Sequence, residues 1–203
     1  MRLGIFGGTF NPIHAGHVKA ALQFIEAASL DRLLVIPDKI PPHKVIVGED
    51  DPMRRLYMTR LAFEGLDPEG KITVSDMEIR REGKSYSYYT VRELSGEGVE
   101  LFLYCGTDML LSFHTWNHFS EILSRCTLAY AGREAQDAAL AASVEAQIAR
   151  LTREYGARIL TIPLAPVEIS SSEIRERISR GEDVSSLLPA PVYDYIKENG
   201  LYQ

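Results

Sequence analysis

The sequence predicts an α/β fold: an open, mostly parallel sheet with helices on both faces and a small C-terminal helical extension. Short apolar runs alternate with longer amphipathic ones along the chain, the pattern of strand–helix–strand units. Most of the short runs are continuously apolar rather than alternating, as in strands covered on both faces. The 203 residues suit a single domain spanning 1–203, with its helical end beginning at about residue 170.

Taken in order, strands are expected at residues 2–6, 32–37, 72–75, 100–105, 126–130 and 158–162. Helices are expected between and after them, at residues 16–28, 52–65, 88–94, 117–123, 137–155 and 171–180. Ser170 followed by Glu173 reads as a capping box and starts the 171–180 helix. A last short helix runs from about residue 191 to 198, with Pro191 in its first turn and Gly200 beyond its end. There is no internal repeat and no low-complexity linker.

Composition narrows the function classes. Apolar residues make up 45% and charged residues 25%, ordinary for a globular protein. A chain of this size buries roughly 70% of its unfolded surface and needs no disulfide or metal staple. Cys105 and Cys126 share no CxxC or Cys/His spacing, which fits reduced thiols in a cytoplasmic protein. The chain begins directly with a strand-like run and shows no signal-peptide pattern. No apolar stretch approaches the ~20 residues of a membrane span. The net charge of −6 argues against a nucleic-acid partner. It leaves room for a small anion held by backbone N–H groups and a few local cations.

In open α/β sheets, ligands bind beyond the carboxyl ends of the strands. After the first strand comes Gly7-Gly8-Thr9-Phe10-Asn11-Pro12-Ile13-His14-Ala15-Gly16-His17, and then a helical pattern. Gly7 and Gly8 permit a tight turn and a close approach of backbone to ligand. The helix that follows aims its N–H groups and positive dipole end back at the turn, a place suited to phosphate. His14 and His17 are three apart, so both rings can face that entrance. Two imidazoles there can donate to phosphate oxygens as charge develops in an attack on phosphorus. The run is not GxGxxG, which disfavours a dinucleotide fingerprint. By residues alone, His14 and His17 could also be half of a zinc site completed by His43, His114 or His118, or a structural pair at a turn.

The last strand leads into Ile169-Ser170-Ser171-Ser172-Glu173-Ile174-Arg175. Ile174 and Ile178 are four apart and would bury one helix face, placing Arg175 on another. A cation near a helix N-terminus is electrostatically misplaced unless an anion joins it. Hydroxyls, free N–H groups and a guanidinium fork together suit a triphosphate; the plain alternative is a well-capped helix with a solvated arginine.

The Gly7–His17 run resembles the His-x-Gly-His signature of the nucleotidyltransferase superfamily, and residues 169–175 resemble its second signature. Ile36-Pro37 with Pro41-Pro42-His43-Lys44, the run Met77-Glu78-Ile79-Arg80, and Ser85-Tyr86-Ser87 with Thr90 narrow this to a likeness with bacterial nicotinate mononucleotide adenylyltransferases. Gly106-Thr107-Asp108, Trp116 and the tail from Leu188 to Tyr202 continue it. The resemblance implies a Rossmann-like sheet and the transfer of AMP from ATP to nicotinate mononucleotide, with release of pyrophosphate in NAD biosynthesis. It implies that His17, His14, Lys44 and Arg175 serve catalysis. ATP would meet Gly7, Gly8, Thr9, Phe10, His14, His17, Gly106, Asp108, Ile169, Ser170, Ser171 and Arg175. Nicotinate mononucleotide would meet His43, Lys44, Ser87, Trp116 and Arg133, although a lone Trp is by itself more often core filling.

The phosphate nucleophile is already ionised, so in-line attack on the α-phosphorus needs no base and no covalent intermediate. Mg2+ would travel with ATP, with no tightly bound cofactor and no metal held by the protein itself. Asn11 and Tyr89 stand where relatives often carry Asp. Alternatives are a phosphopantetheine adenylyltransferase or small cytidylyltransferase, a His-based metal-dependent hydrolase, and a silent nucleotide-binding regulator. Whether the chain forms a homo-oligomer stays open, as does the role of residues 134–156.

Overall fold

The computed structural model describes residues 1–42, 51–67, 69–132, 137–163 and 169–203. Its strands and helices alternate, and six strands form one sheet. In chain order the elements are β1 (Arg2–Gly8), α1 (Ala15–Ala27), β2 (Arg32–Pro37), α2 (Pro52–Phe63), β3 (Ile72–Val74), α3 (Met77–Arg80), α4 (Ser87–Leu94) and β4 (Glu100–Gly106). There follow α5 (Thr107–Ser112), a 3-10 turn at Phe113–Thr115, α6 (Phe119–Arg125), β5 (Cys126–Ala131), α7 (Ala138–Tyr155), β6 (Arg158–Ile162), α8 (Ser171–Ser179), a second 3-10 turn at Ser185–Leu187 and α9 (Ala190–Glu198).

The strand order is β3-β2-β1-β4-β5-β6, with β1–β4, β4–β5 and β5–β6 all parallel. Parallel neighbours require crossovers, and the helices supply them. All six residues of β5 are buried, as a continuous apolar run in a parallel sheet demands. The strand order reverses at β1, so the rule for open sheets directs attention to the carboxyl end of that strand, the Gly7–His17 segment. Among the described residues no helix is long and apolar enough to cross a membrane.

Every expected strand forms, and β2 and β6 have the expected bounds. The helix expected at residues 117–123 starts later, at Phe119. The Trp116 N–H closes the 3-10 turn on the Phe113 carbonyl at 3.0 Å, and His118 then adopts a left-handed φ of 52°, so helical winding begins only after it. The short helices α3 and α5 were not expected. Segments of four and six residues show too little of the 3.6-residue period to be read from sequence.

The chain forms two compact units. The first comprises Met1–Phe6, Leu22–Leu34 and Tyr86–Pro166. Its core includes Leu3, Ile5, Phe24, Leu30, Leu33, Phe102 and Leu128, all buried. Gly4 is required by this packing, since a Cβ there would lie 2.4 Å from Leu30 Cδ1 and 2.8 Å from Leu33 Cδ1. Helix α7 begins where Asp137 accepts from the N–H groups of Ala139 and Leu140 at 3.0 Å, and it ends at left-handed Gly156, a normal pairing of cap types. It buries Val144, Gln147 and Leu151, and the Gln147 amide donates to the Leu110 carbonyl at 3.2 Å. The second unit comprises Gly7–Ala21, Val35–Ser85 and Val167–Gln203. Ile13, Leu56, Met58, Ile174, Val192 and Ile196 form its apolar interior, and the Tyr57 and Tyr195 rings meet at 4.9 Å.

Gly4→Ala overpacks a fully formed core and is expected to cost about 1–3 kcal/mol, measurable by urea denaturation. Cys105 and Cys126 are free and fully buried. Burial pushes the Cys126 thiol up to about 12, and Cys105 is raised further, first by burial and then by the neighbouring Cys126. Neither thiol is expected to react with an aromatic disulfide reagent at neutral pH until the protein is unfolded, when both become titratable.

Candidate functional site

The segment after β1 folds as its glycines and histidines suggest, all within the second unit. A Cβ on Gly8 would fall 2.7 Å from Phe10 Cε1, so only glycine lets the chain turn under that ring. Phe10 has a left-handed φ of 48° and is buried. Its ring stands edge-on to His17 at 5.1 Å. The Asn11-Pro12 peptide is cis. His14 starts the helix, its carbonyl accepting from the N–H groups of His17 and Val18 at 2.9 and 3.2 Å.

The His14 and His17 rings stack at 3.7 Å with 26° between their planes. His14 is only 2% exposed, whereas His17 is half-buried. The His14 backbone N–H donates to His17 Nδ1 at 3.3 Å. An accepting Nδ1 puts the proton of the neutral ring on Nε2, which becomes a donor. The pair therefore presents an N–H donor at the N-terminus of α1, where the helix dipole already favours negative charge.

The second signature lies against the same segment. Ser170 caps α8 by accepting from the Glu173 N–H at 3.1 Å, as expected of a cap, and the Glu173 carboxylate engages Arg177 one turn on. Ser171 Oγ donates to the Pro12 carbonyl at 2.9 Å. Arg175 Nη1 donates to the Asn11 carbonyl at 2.7 Å, and Nη2 lies 3.4 Å from Ser172 Oγ. The Tyr202 hydroxyl donates to Asn11 Oδ1 at 2.5 Å. Arg175 is thus not a solvated helix arginine. Ile174 is buried but Ile178 only half so.

Two further residues grip the same segment and were not read from the sequence. Asp38, just past β2, accepts from Thr9 Oγ1 at 2.8 Å through Oδ2. Arg55, on α2, donates to the Thr9 carbonyl at 2.7 Å and to Asp38 Oδ1 at 3.2 Å. Asp38 follows a strand end, which is a usable signal; an arginine on a helix reads as solvated and gives none.

A family model described as cytidylyltransferase-like matches residues 5–177. The chain belongs to the cytidylyltransferase-like family. Its relatives include a protein of Geobacter metallireducens named probable nicotinate-nucleotide adenylyltransferase, 38% identical over 100% of this chain and 98% of that one. One of the same name from Clostridium botulinum is 36% identical over the same shares. Among solved structures, a Plasmodium falciparum nicotinic acid mononucleotide adenylyltransferase complexed with NaAD superposes with a TM-score of 0.75 at 17% identity, covering 99% of this chain and 97% of that one. That likeness shows a shared fold.

Of the other residues expected of this cytidylyltransferase-like protein, Ile169 belongs to the second unit, and the rest belong to the first unit or lie outside the described residues. Gly106 precedes α5 as its N-cap, and Asp108 is exposed in its first turn. Trp116 is half-buried, with its ring stacked on Phe113 at 4.9 Å, so it is neither pure core nor free surface. Ser87 is the first residue of α4 and half-buried. Tyr89 is exposed, with the Arg92 guanidinium 5.4 Å from its ring. Ile169, just before the Ser170 cap, is half-buried. His43, Lys44 and Arg133 lie outside the described residues.

Tyr202→Phe deletes one hydroxyl and leaves Asn11 Oδ1 without that donor. It is expected to lower stability by about 1 kcal/mol, read as a shifted denaturation midpoint with an unchanged slope.

Proposed function

We propose that this chain transfers AMP from ATP to nicotinate mononucleotide, giving nicotinate adenine dinucleotide and pyrophosphate. The observation that carries the reading is the stacked His14–His17 pair at the N-terminus of α1, in a chain 38% identical along its whole length to a protein named for this reaction. The 5′-phosphate of the acceptor attacks the α-phosphorus in line, and pyrophosphate leaves. His17, the more exposed ring, donates from Nε2 to oxygens that gain charge in the transition state, and His14 backs it. Ser170, Ser171 and Arg175 lie along the leaving phosphates at the N-terminus of α8. Lys44 and His43 contact phosphate, Gly106 and Asp108 serve the nucleotide, and Ser87, Trp116 and Arg133 serve the acceptor.

Catalysis on this reading is positioning and charge stabilisation, since the nucleophile is already ionised. Magnesium enters on the triphosphate. On this reading its ligands are phosphate oxygens and water. The reaction and the buried reduced thiols fit a cytoplasmic enzyme.

The test is pyrophosphate release with ATP and magnesium, offering nicotinate, nicotinamide and phosphopantetheine acceptors in parallel, with CTP replacing ATP in a further arm. Turnover is expected with nicotinate mononucleotide. His17→Ala is expected to lower kcat by roughly 100- to 1,000-fold, the loss of about 3–4 kcal/mol of charge stabilisation. Turnover only with another acceptor or with CTP would replace the assignment.

A further inference from the structure

We infer that Arg55 and Asp38 are positioning residues for this reaction, acting through Thr9 to hold the Gly7–His17 segment in the geometry that presents the histidine donor. The inference rests on the adenylyl-transfer reading and extends it to two residues outside both signatures.

Arg55 is 1% exposed and is the largest fully buried side chain among the described residues. Taking a guanidinium out of water is costly, and replacing a buried ion pair by apolar side chains is often neutral or stabilising. Stability alone is therefore a weak reason for its presence. The direction of its fork supplies a better one. Nη1 reaches the Thr9 carbonyl at 2.7 Å and Asp38 Oδ1 at 3.2 Å, and Nη2 reaches the Lys39 carbonyl at 3.3 Å. Asp38 uses its second oxygen for the Thr9 hydroxyl at 2.8 Å, and its backbone N–H donates to the Gly8 carbonyl at 3.1 Å.

Two successive residues of the segment are thereby fixed from one side. Gly8 is held by its carbonyl, and Thr9 is held by its carbonyl and its hydroxyl. The next residue is Phe10, in a left-handed conformation with its ring against His17. The line of contact runs from the Arg55–Asp38 pair through Thr9 and Phe10 to the imidazole. Charge-assisted bonds suit this task because they are short and directional. A donor displaced by about 1 Å from its working position can cost on the order of 100-fold in rate. On this account the Thr9 hydroxyl serves Asp38 rather than the nucleotide.

Three variants test the inference in the full-length protein, each assayed below its own melting temperature. Thr9→Val removes only the hydroxyl, Arg55→Lys keeps the charge but loses the fork, and Thr9→Ser restores the hydroxyl. Thr9→Val and Arg55→Lys are expected to lower kcat by about 10- to 100-fold with KM for ATP within roughly threefold of wild type. Thr9→Ser is expected to return kcat to within about twofold of wild type. In the unliganded protein, the ring resonances of labelled His17 should shift or double in Thr9→Val and Arg55→Lys and remain unchanged in Thr9→Ser. A raised KM with unchanged kcat in Thr9→Val would overturn the inference, because it would make Thr9 a direct ATP contact. Wild-type kcat in both Thr9→Val and Arg55→Lys, or His17 signals identical to wild type in both, would overturn it equally. Absence of turnover by the wild-type protein would instead sink the adenylyl-transfer reading, and the histidine spectra would still decide the anchoring.

Discussion

The loop after β1 cannot pair its own backbone, and the second unit is organised around that deficit. The carbonyl of Gly8 ends β1, and those of Thr9, Asn11 and Pro12 lie in the irregular segment beyond it. Buried carbonyls require donors. They receive them from the Asp38 N–H, Arg55, Arg175 and Ser171 respectively. The donors come from the end of β2, from α2 and from α8, so separate segments of the chain converge on four peptide carbonyls within five residues. An irregular loop held in this way can keep a stacked histidine pair at a helix N-terminus without secondary structure of its own.

The same bonds resolve an electrostatic oddity. Arg175 sits in the early part of α8, where the helix dipole disfavours a cation. A bound anion is one way to offset that, and the Asn11 carbonyl at 2.7 Å is another. The guanidinium carries five donors in a rigid fork, so holding the loop and meeting a phosphate are compatible tasks for one side chain. Asn11 takes part twice, through its carbonyl and through Oδ1, which accepts from Tyr202. A side-chain oxygen suffices there, and the negative charge of an Asp is not needed for that bond.

The first unit follows a different logic. Gly4 lets Leu30 and Leu33 pack directly against β1, and β5 is buried along its whole length. Its polar contacts include the Gln147 amide on the end of α5, Arg2 on Glu100 and the Asp137 cap of α7. Close packing of apolar runs rather than loop anchoring fixes its strands.

The sequence by itself determined the strands, the βαβ order and the two signatures. Each of these is a local pattern: a continuous apolar run, a pair of glycines before two histidines, a serine three residues ahead of a glutamate. The serine half of the expected Ser170–Glu173 capping box formed because a cap needs only its own first turn, while the Glu173 carboxylate engages Arg177. What the tertiary structure alone decided was pairing across long stretches of chain. Nothing near Arg55 in sequence announces that it is buried on Asp38 and Thr9, and nothing near Tyr202 announces Asn11, 191 residues away. The late start of α6 likewise depends on the left-handed His118, a conformation that few non-glycine residues adopt even though histidine is enriched there. Periodicity and capping act over a few residues, whereas a loop carbonyl takes whichever donor the fold brings to it.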